Sequence, residues 1–205
     1  MSNVRLRRQA FLLLLVFVAS CNNKTCDCPI NKEVVLENDS LIQEWTNNSE
    51  SSLKDYWNMY DEPLLFENKN KSLRYHRLIW TRDVNKIYRI IKSNSEYKLI
   101  YKDYTESIDR EDSLRIHKEI TITDSIFNEI EGLIEASCFW TLPIVLNEKE
   151  FLDPVILSLE FYNPESNDCT NRKYHLVDVL SHEDEELWRI MNEIDEILVE
   201  LCDED

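Results

Sequence analysis

Two periodicities divide the chain. Over residues 115–122 apolar and polar positions alternate, with Leu114, Ile116, Ile120 and Ile122 facing one way and Arg115, His117, Glu119 and Thr121 the other. A period of two marks a strand with one wet face. The same rhythm places Val155, Leu157, Leu159 and Phe161 on one side of a strand over 155–162. Apolar runs at 73–80, 87–91, 96–101 and 173–179 complete six predicted strands. Lys92-Ser93-Asn94-Ser95 suits a hairpin turn, and 163–171 reads as a hairpin loop.

Elsewhere the spacing becomes helical. Ile126, Phe127, Ile130, Leu133, Ile134 and Cys138 form one stripe, behind a cap at Thr123 or Asp124. Leu187, Ile190, Met191, Ile194, Ile197, Leu198 and Leu201 form a longer one. Ser181 precedes it as a cap, and the acids at 183–186 suit the positive end of a helix dipole. A weaker pattern over 41–60 predicts two short helices, ended by Glu62-Pro63. Helices, four strands, a helix, two strands and a helix predict an α+β domain over 41–205. Its sheet is mostly antiparallel, of about six strands, with helices packed on one face.

The first forty residues follow neither rhythm. Arg5, Arg7 and Arg8 precede ten apolar residues at 10–19, then Ser20 and Cys21. A membrane-crossing helix needs about 20 apolar residues, whereas ten suit a signal-peptide core behind a positive flank. Val18-Ala19-Ser20-Cys21 resembles the lipobox of bacterial lipoproteins. The resemblance implies a signal peptide over 1–20 cut between Ser20 and Cys21. It also implies a thioether-linked diacylglycerol on Cys21, with an N-acyl chain on its new amino group. Two or three acyl chains hold a domain on a membrane that one chain holds only marginally. Residues 21–40 are polar and aperiodic and read as a flexible tether.

Charge narrows the partners. The chain carries −17, and removal of 1–20 takes three basic residues and no acidic ones, leaving −20. Nucleic acid, which needs Lys and Arg against its phosphates, is disfavoured, as is a second electrostatic contact with anionic lipid. The single glycine, Gly132, leaves no phosphate-cradling loop, dinucleotide fingerprint or nucleophile elbow. Turns must use the 18 asparagines, with aspartate and proline.

Candidate chemistry is sparse. Once Cys21 is acylated, Cys26, Cys28, Cys138, Cys169 and Cys202 remain. Cys26 and Cys28 are read as disulfide partners that pin the tether to the body, for instance at Cys202, and Cys138 as a small buried hydrophobe. Neither the cysteines nor the acidic clusters have the spacing of a zinc or calcium site, so no metal or other cofactor is expected. His117 and His175 lie on predicted strands, and Trp45, Trp57 and Tyr60 are read mainly as core. Asp39-Ser40-Leu41, Asp112-Ser113-Leu114 and Asp124-Ser125-Ile126 resemble the short O-glycosylation motif of Bacteroidetes envelope proteins, Ser40 being the most accessible.

The run Tyr75 to Trp80, the pair Phe139-Trp140, Leu159-Glu160 and Tyr174-His175-Leu176 resemble small Bacteroidetes lipoproteins. Leu152-Asp153-Pro154 stands where an Asp-Gly pair would open the late strand. The resemblance implies an envelope location and an α+β fold, and carries no activity. The reading is a non-enzymatic, lipid-anchored envelope protein on the periplasmic side of the outer membrane, with surface display as the other possibility. It binds a protein or glycan partner or supports an assembly. The alternatives are a hydrolase or redox enzyme with a site assembled from distant residues, and an inhibitor- or immunity-like protein.

Overall fold

The computed structural model describes residues 39–40, 42–43, 53–67, 69–79, 84–105, 113–143, 145–146, 155–165, 172–179 and 185–203. The signal segment with Ser20, Cys21, and Cys26, Cys28, Trp45, Cys169 and Ser181 lie outside the described residues. The elements are α1 (Leu53–Asn58), β1 (Ser72–Ile79), β2 (Val84–Ser93), β3 (Glu96–Thr105), β4 (Ser113–Ile122), α2 (Asp124–Ala136), β5 (Val145–Leu146), β6 (Val155–Tyr162), β7 (Tyr174–Val179) and α3 (Glu185–Asp203). Short 3-10 turns occupy Leu65–Glu67 and Phe139–Thr141.

The sheet runs β4-β3-β2-β1-β6-β7-β5. The six long strands pair antiparallel, and the two-residue β5 adds the one parallel contact. The α+β class with about six antiparallel strands is therefore the fold observed. The β2–β3 turn closes on Asn94-Ser95, with Ser93 opposite Glu96 and Asn94 at φ 59°. Asparagine tolerates that left-handed conformation better than most residues, so no glycine is needed.

One face of the sheet carries the main core. Leu73, Tyr75, Tyr88, Ile90, Leu99, Leu157, Leu159, Phe161, Val177 and Val179 meet the stripes of both long helices. Thr123 caps α2 as expected, its side chain accepting from Ile126 N. Phe127 lies flat on Tyr97, with centroids 3.9 Å apart and planes 9° apart. No basic residue stands in the last turn of α3, and Lys118 reaches from β4 to donate to the Cys202 carbonyl at 2.8 Å.

The opposite face differs from the expectation of helices on one side. Here α1 and its neighbours cover the sheet, and Leu53, Trp57, Tyr60, Leu64, Ile87, Tyr104 and Leu176 form a second buried cluster. The physical reason is that this face also carries the apolar Ile87, Tyr104 and Leu176, which gain from cover, and the charged residues buried with them must then be paired.

Four further details add to the sequence reading. A register shift opposite Asp103 and Tyr104 pairs Tyr104 with Leu114 and Asp103 with Ile116, leaving Arg115 as the extra residue of a bulge. Leu114 therefore faces the α1 side and not the side of Ile116. Cys138 is half-buried and disulfide-bonded rather than a simple core hydrophobe. Cys202, read as one end of a bridge to the tether, is buried near the end of α3. Asp39, placed on the tether, meets Arg172 Nη2 at 3.0 Å, and Asp39 and Ser40 are helical and exposed.

Candidate functional site

The α1 face gathers polar chemistry that one-dimensional patterns hide. Cross-strand pairing sets Glu160 beside Arg74, Arg74 beside Arg89, Arg89 beside Ile100, and Ile100 beside Glu119. Two arginines opposite one another would repel. Glu62, brought in by the turn after α1, relieves this: its Oε2 lies 2.7 Å from Arg89 Nε and 3.4 Å from Arg74 Nε. Its Oε1 lies 2.9 Å from Lys102 Nζ. The Glu62 side chain is fully buried.

Arg74 is committed on every side. Its Nη1 spans both Glu160 oxygens at 3.1 and 3.3 Å, and Nη2 donates to the Pro63 carbonyl. Trp57 lies over the guanidinium at 3.9 Å, a close cation–π contact. Tyr174 donates to Glu160 Oε2 at 3.0 Å. Burial pushes the Glu160 carboxyl upward, and Arg74 and the Tyr174 hydroxyl pull it part of the way back. Lys102 also donates to the carbonyls of Tyr60 and Asp61 at 3.0 and 2.7 Å.

His76 belongs to the same layer. Its Nε2 donates to Asn85 Oδ1 at 2.9 Å, and its Nδ1 accepts from the Tyr56 hydroxyl at 3.2 Å. Both bonds suit the neutral ring, and burial lowers its pKa to about 4. Asp178 is pushed up to about 6 by burial, against the Ser158 hydroxyl that hydrogen-bonds it.

Beside this network a pocket of about 270 Å³ opens toward the β4 edge. Ile100, Lys102, Tyr104 and Arg89 line it with Met59, Tyr60, Asp61, Leu114, His117 and Glu119. Of the large apolar side chains exposed among the described residues, Met59 and Leu114 line this pocket at 64% and 49% exposure, and Ile116, at 39%, lies on the other face of β4.

His117 is thus a pocket residue next to Glu119, while His175 lies on the other face of the sheet, five strands away. His175 donates from Nε2 to the Leu142 carbonyl at 3.0 Å and packs against Phe139 and Trp140. Burial, reinforced by Arg172, lowers its pKa to about 3. Trp57 and Tyr60 are core, as read. Glu62, Arg74, Arg89, Lys102 and Glu160 were not singled out from the sequence, because their meeting depends on strand register. Arg74 and His76, alternating with Leu73, Tyr75 and the later apolar residues of β1, were the available signal.

Among the described residues no group of three His, Cys, Asp or Glu side chains is placed to hold a metal ion, and no helix is long and apolar enough to cross a membrane. No protein family, curated protein or solved structure matches the chain.

Proposed function

We propose that this chain is a lipid-anchored cell-envelope protein whose folded domain binds a partner rather than transforming a substrate. The observation that carries the binding reading is the division of labour on the α1 face. Most of the buried charges are engaged with one another, while the accessible apolar Met59 and Leu114 flank the pocket at β4, the end strand of the sheet among the described residues, and Ile116 is exposed on the other face of that strand. Exposed apolar side chains gathered beside an edge strand are the usual mark of an interaction surface.

The envelope reading rests on the Arg5-to-Cys21 pattern, and the disulfide at Cys138 supports it, since disulfides persist in oxidising compartments. The test of binding is affinity purification from native envelope with the intact chain and with Leu114→Lys/Ile116→Lys. Both positions are exposed, so the double variant is expected to fold, which circular dichroism checks. A partner retained by the native chain and lost by the variant supports the reading; identical recovery with both chains rejects it.

One observation favours an enzymatic alternative: His117 and Glu119 share the pocket with the Tyr104 side chain. That grouping is able to move a proton. Turnover of an envelope ester or glycoside that disappears in His117→Asn would select this reading.

A further inference from the structure

The pocket beside β4 has opposite charges at its two ends and an apolar floor between them. Register fixes this arrangement: Arg89, Ile100 and Glu119 stand side by side on β2, β3 and β4. With strands about 4.8 Å apart, the two charged residues start about 10 Å apart, with Ile100 between them. Met59 and Leu114 supply apolar walls.

Arg89 is the end that asks for an anion. Its Nε is held by Glu62, but among the described residues its terminal nitrogens make no hydrogen bond or ion pair, and its side chain is only 13% exposed. The surrounding network holds three cations, Arg74, Arg89 and Lys102, against the two carboxylates Glu62 and Glu160. A guanidinium fork with open donors suits a carboxylate. Glu119 is the end that asks for a cation. It is 56% exposed and, among the described residues, held only by a 4.0 Å contact with Lys98, and Asp61 adds a second acid to the lining.

We infer that this pocket binds a small zwitterion with an apolar body, the chemistry of a free amino acid. Its carboxylate meets Arg89, its ammonium meets Glu119, and its carbon skeleton lies on Ile100 between Met59 and Leu114. Whole-molecule charge favours this over either simpler ion. A chain of −17 repels a free anion at long range, a lone cation gains nothing from Arg89, and a neutral zwitterion escapes both penalties. The volume, about 270 Å³, is below the range typical of drug-sized ligands, about 300–1,000 Å³.

The inference rests on the reading of the domain as a binding module and names one ligand class for it. The experiment is calorimetric titration of the full chain in detergent micelles with leucine and with 6-aminohexanoate. Hexanoate and hexylamine serve as one-charge controls. At least one zwitterion should bind saturably, and both controls should bind at least about tenfold more weakly. Glu119→Gln, at an exposed position that leaves the fold intact, should remove that advantage over hexanoate. Arg89→Lys should weaken the zwitterion and leave hexylamine unchanged. No saturable heat from either zwitterion, or equal binding by the controls, overturns the inference. Loss of the envelope partner in Leu114→Lys/Ile116→Lys would still stand in that case, so the two failures are separable.

Discussion

Gly132 sits in the middle of α2 on an exposed turn, and a Cβ added there would meet nothing within 4 Å. The one glycine is thus absent from the left-handed positions among the described residues, which Asp61, Asn94 and Cys138 fill at φ 51°, 59° and 55°. Gly132→Ala should therefore raise stability by about 0.5–1 kcal/mol, read as an upward shift in thermal midpoint. Glu62 is the opposite case. Glu62→Ala strips the shared counter-ion from Arg74, Arg89 and Lys102, and breaking such a buried pair costs about 3–5 kcal/mol in chemical denaturation. The buried histidines set an acid limit. His76 and His175 have pKa values lowered to about 4 and about 3, below the unfolded value of about 6.5. Their neutral forms are fully compatible with the fold above that unfolded value, and stability is lost as pH falls through it toward the folded values. Asp178, raised to about 6, acts in the opposite sense, its contribution declining as pH rises from about 4 through 6. Urea midpoints at pH 7 and pH 5 should differ less in His175→Gln than in the native chain, because the glutamine amide keeps a donor for the Leu142 carbonyl but cannot protonate; an equal difference would show that His175 does not titrate with unfolding.

Elements with a clean period were legible from the chain alone. The stripes of α2 and α3, the Thr123 cap and the Asn94-Ser95 turn stand where apolar spacing, capping chemistry and turn preference put them. Phe127 shows what a stripe residue does: it is fully buried and stacked on Tyr97, so Phe127→Ala should cost about 3–5 kcal/mol, measured by denaturant unfolding. What the period could not convey was the bulge at Arg115. A bulge inserts one residue without changing composition, so the alternation through Leu114 looks unbroken in sequence while the strand has changed phase. The charged layer was hidden for a related reason. Arg74 and Glu160 are 86 positions apart and meet only because β1 lies beside β6. Arg89 and Glu119 share the pocket only because β3 lies between β2 and β4. Sequence names the residues of the site, and register alone assembles it.

At the scale of the whole molecule, an acidic domain carries its strongest internal charges sealed beneath α1 and its accessible apolar groups at one edge. Among the described residues, the apolar stripes of α2 and α3 are both spent on the core. Attachment to a bilayer, on this account, falls to acyl chains on Cys21, ahead of the folded body, with the β4 edge left to meet a partner. The most direct measurement is membrane fractionation with intact mass for the native chain and for Cys21→Ser, expressed in a bacterial envelope. The account predicts that the native protein sediments with membranes at the mass of residues 21–205 plus a diacylglycerol and an acyl chain, and that Cys21→Ser loses both the lipid mass and normal processing. A native mass equal to the unmodified polypeptide, or a Cys21→Ser protein that is matured and sediments like the native one, would contradict it.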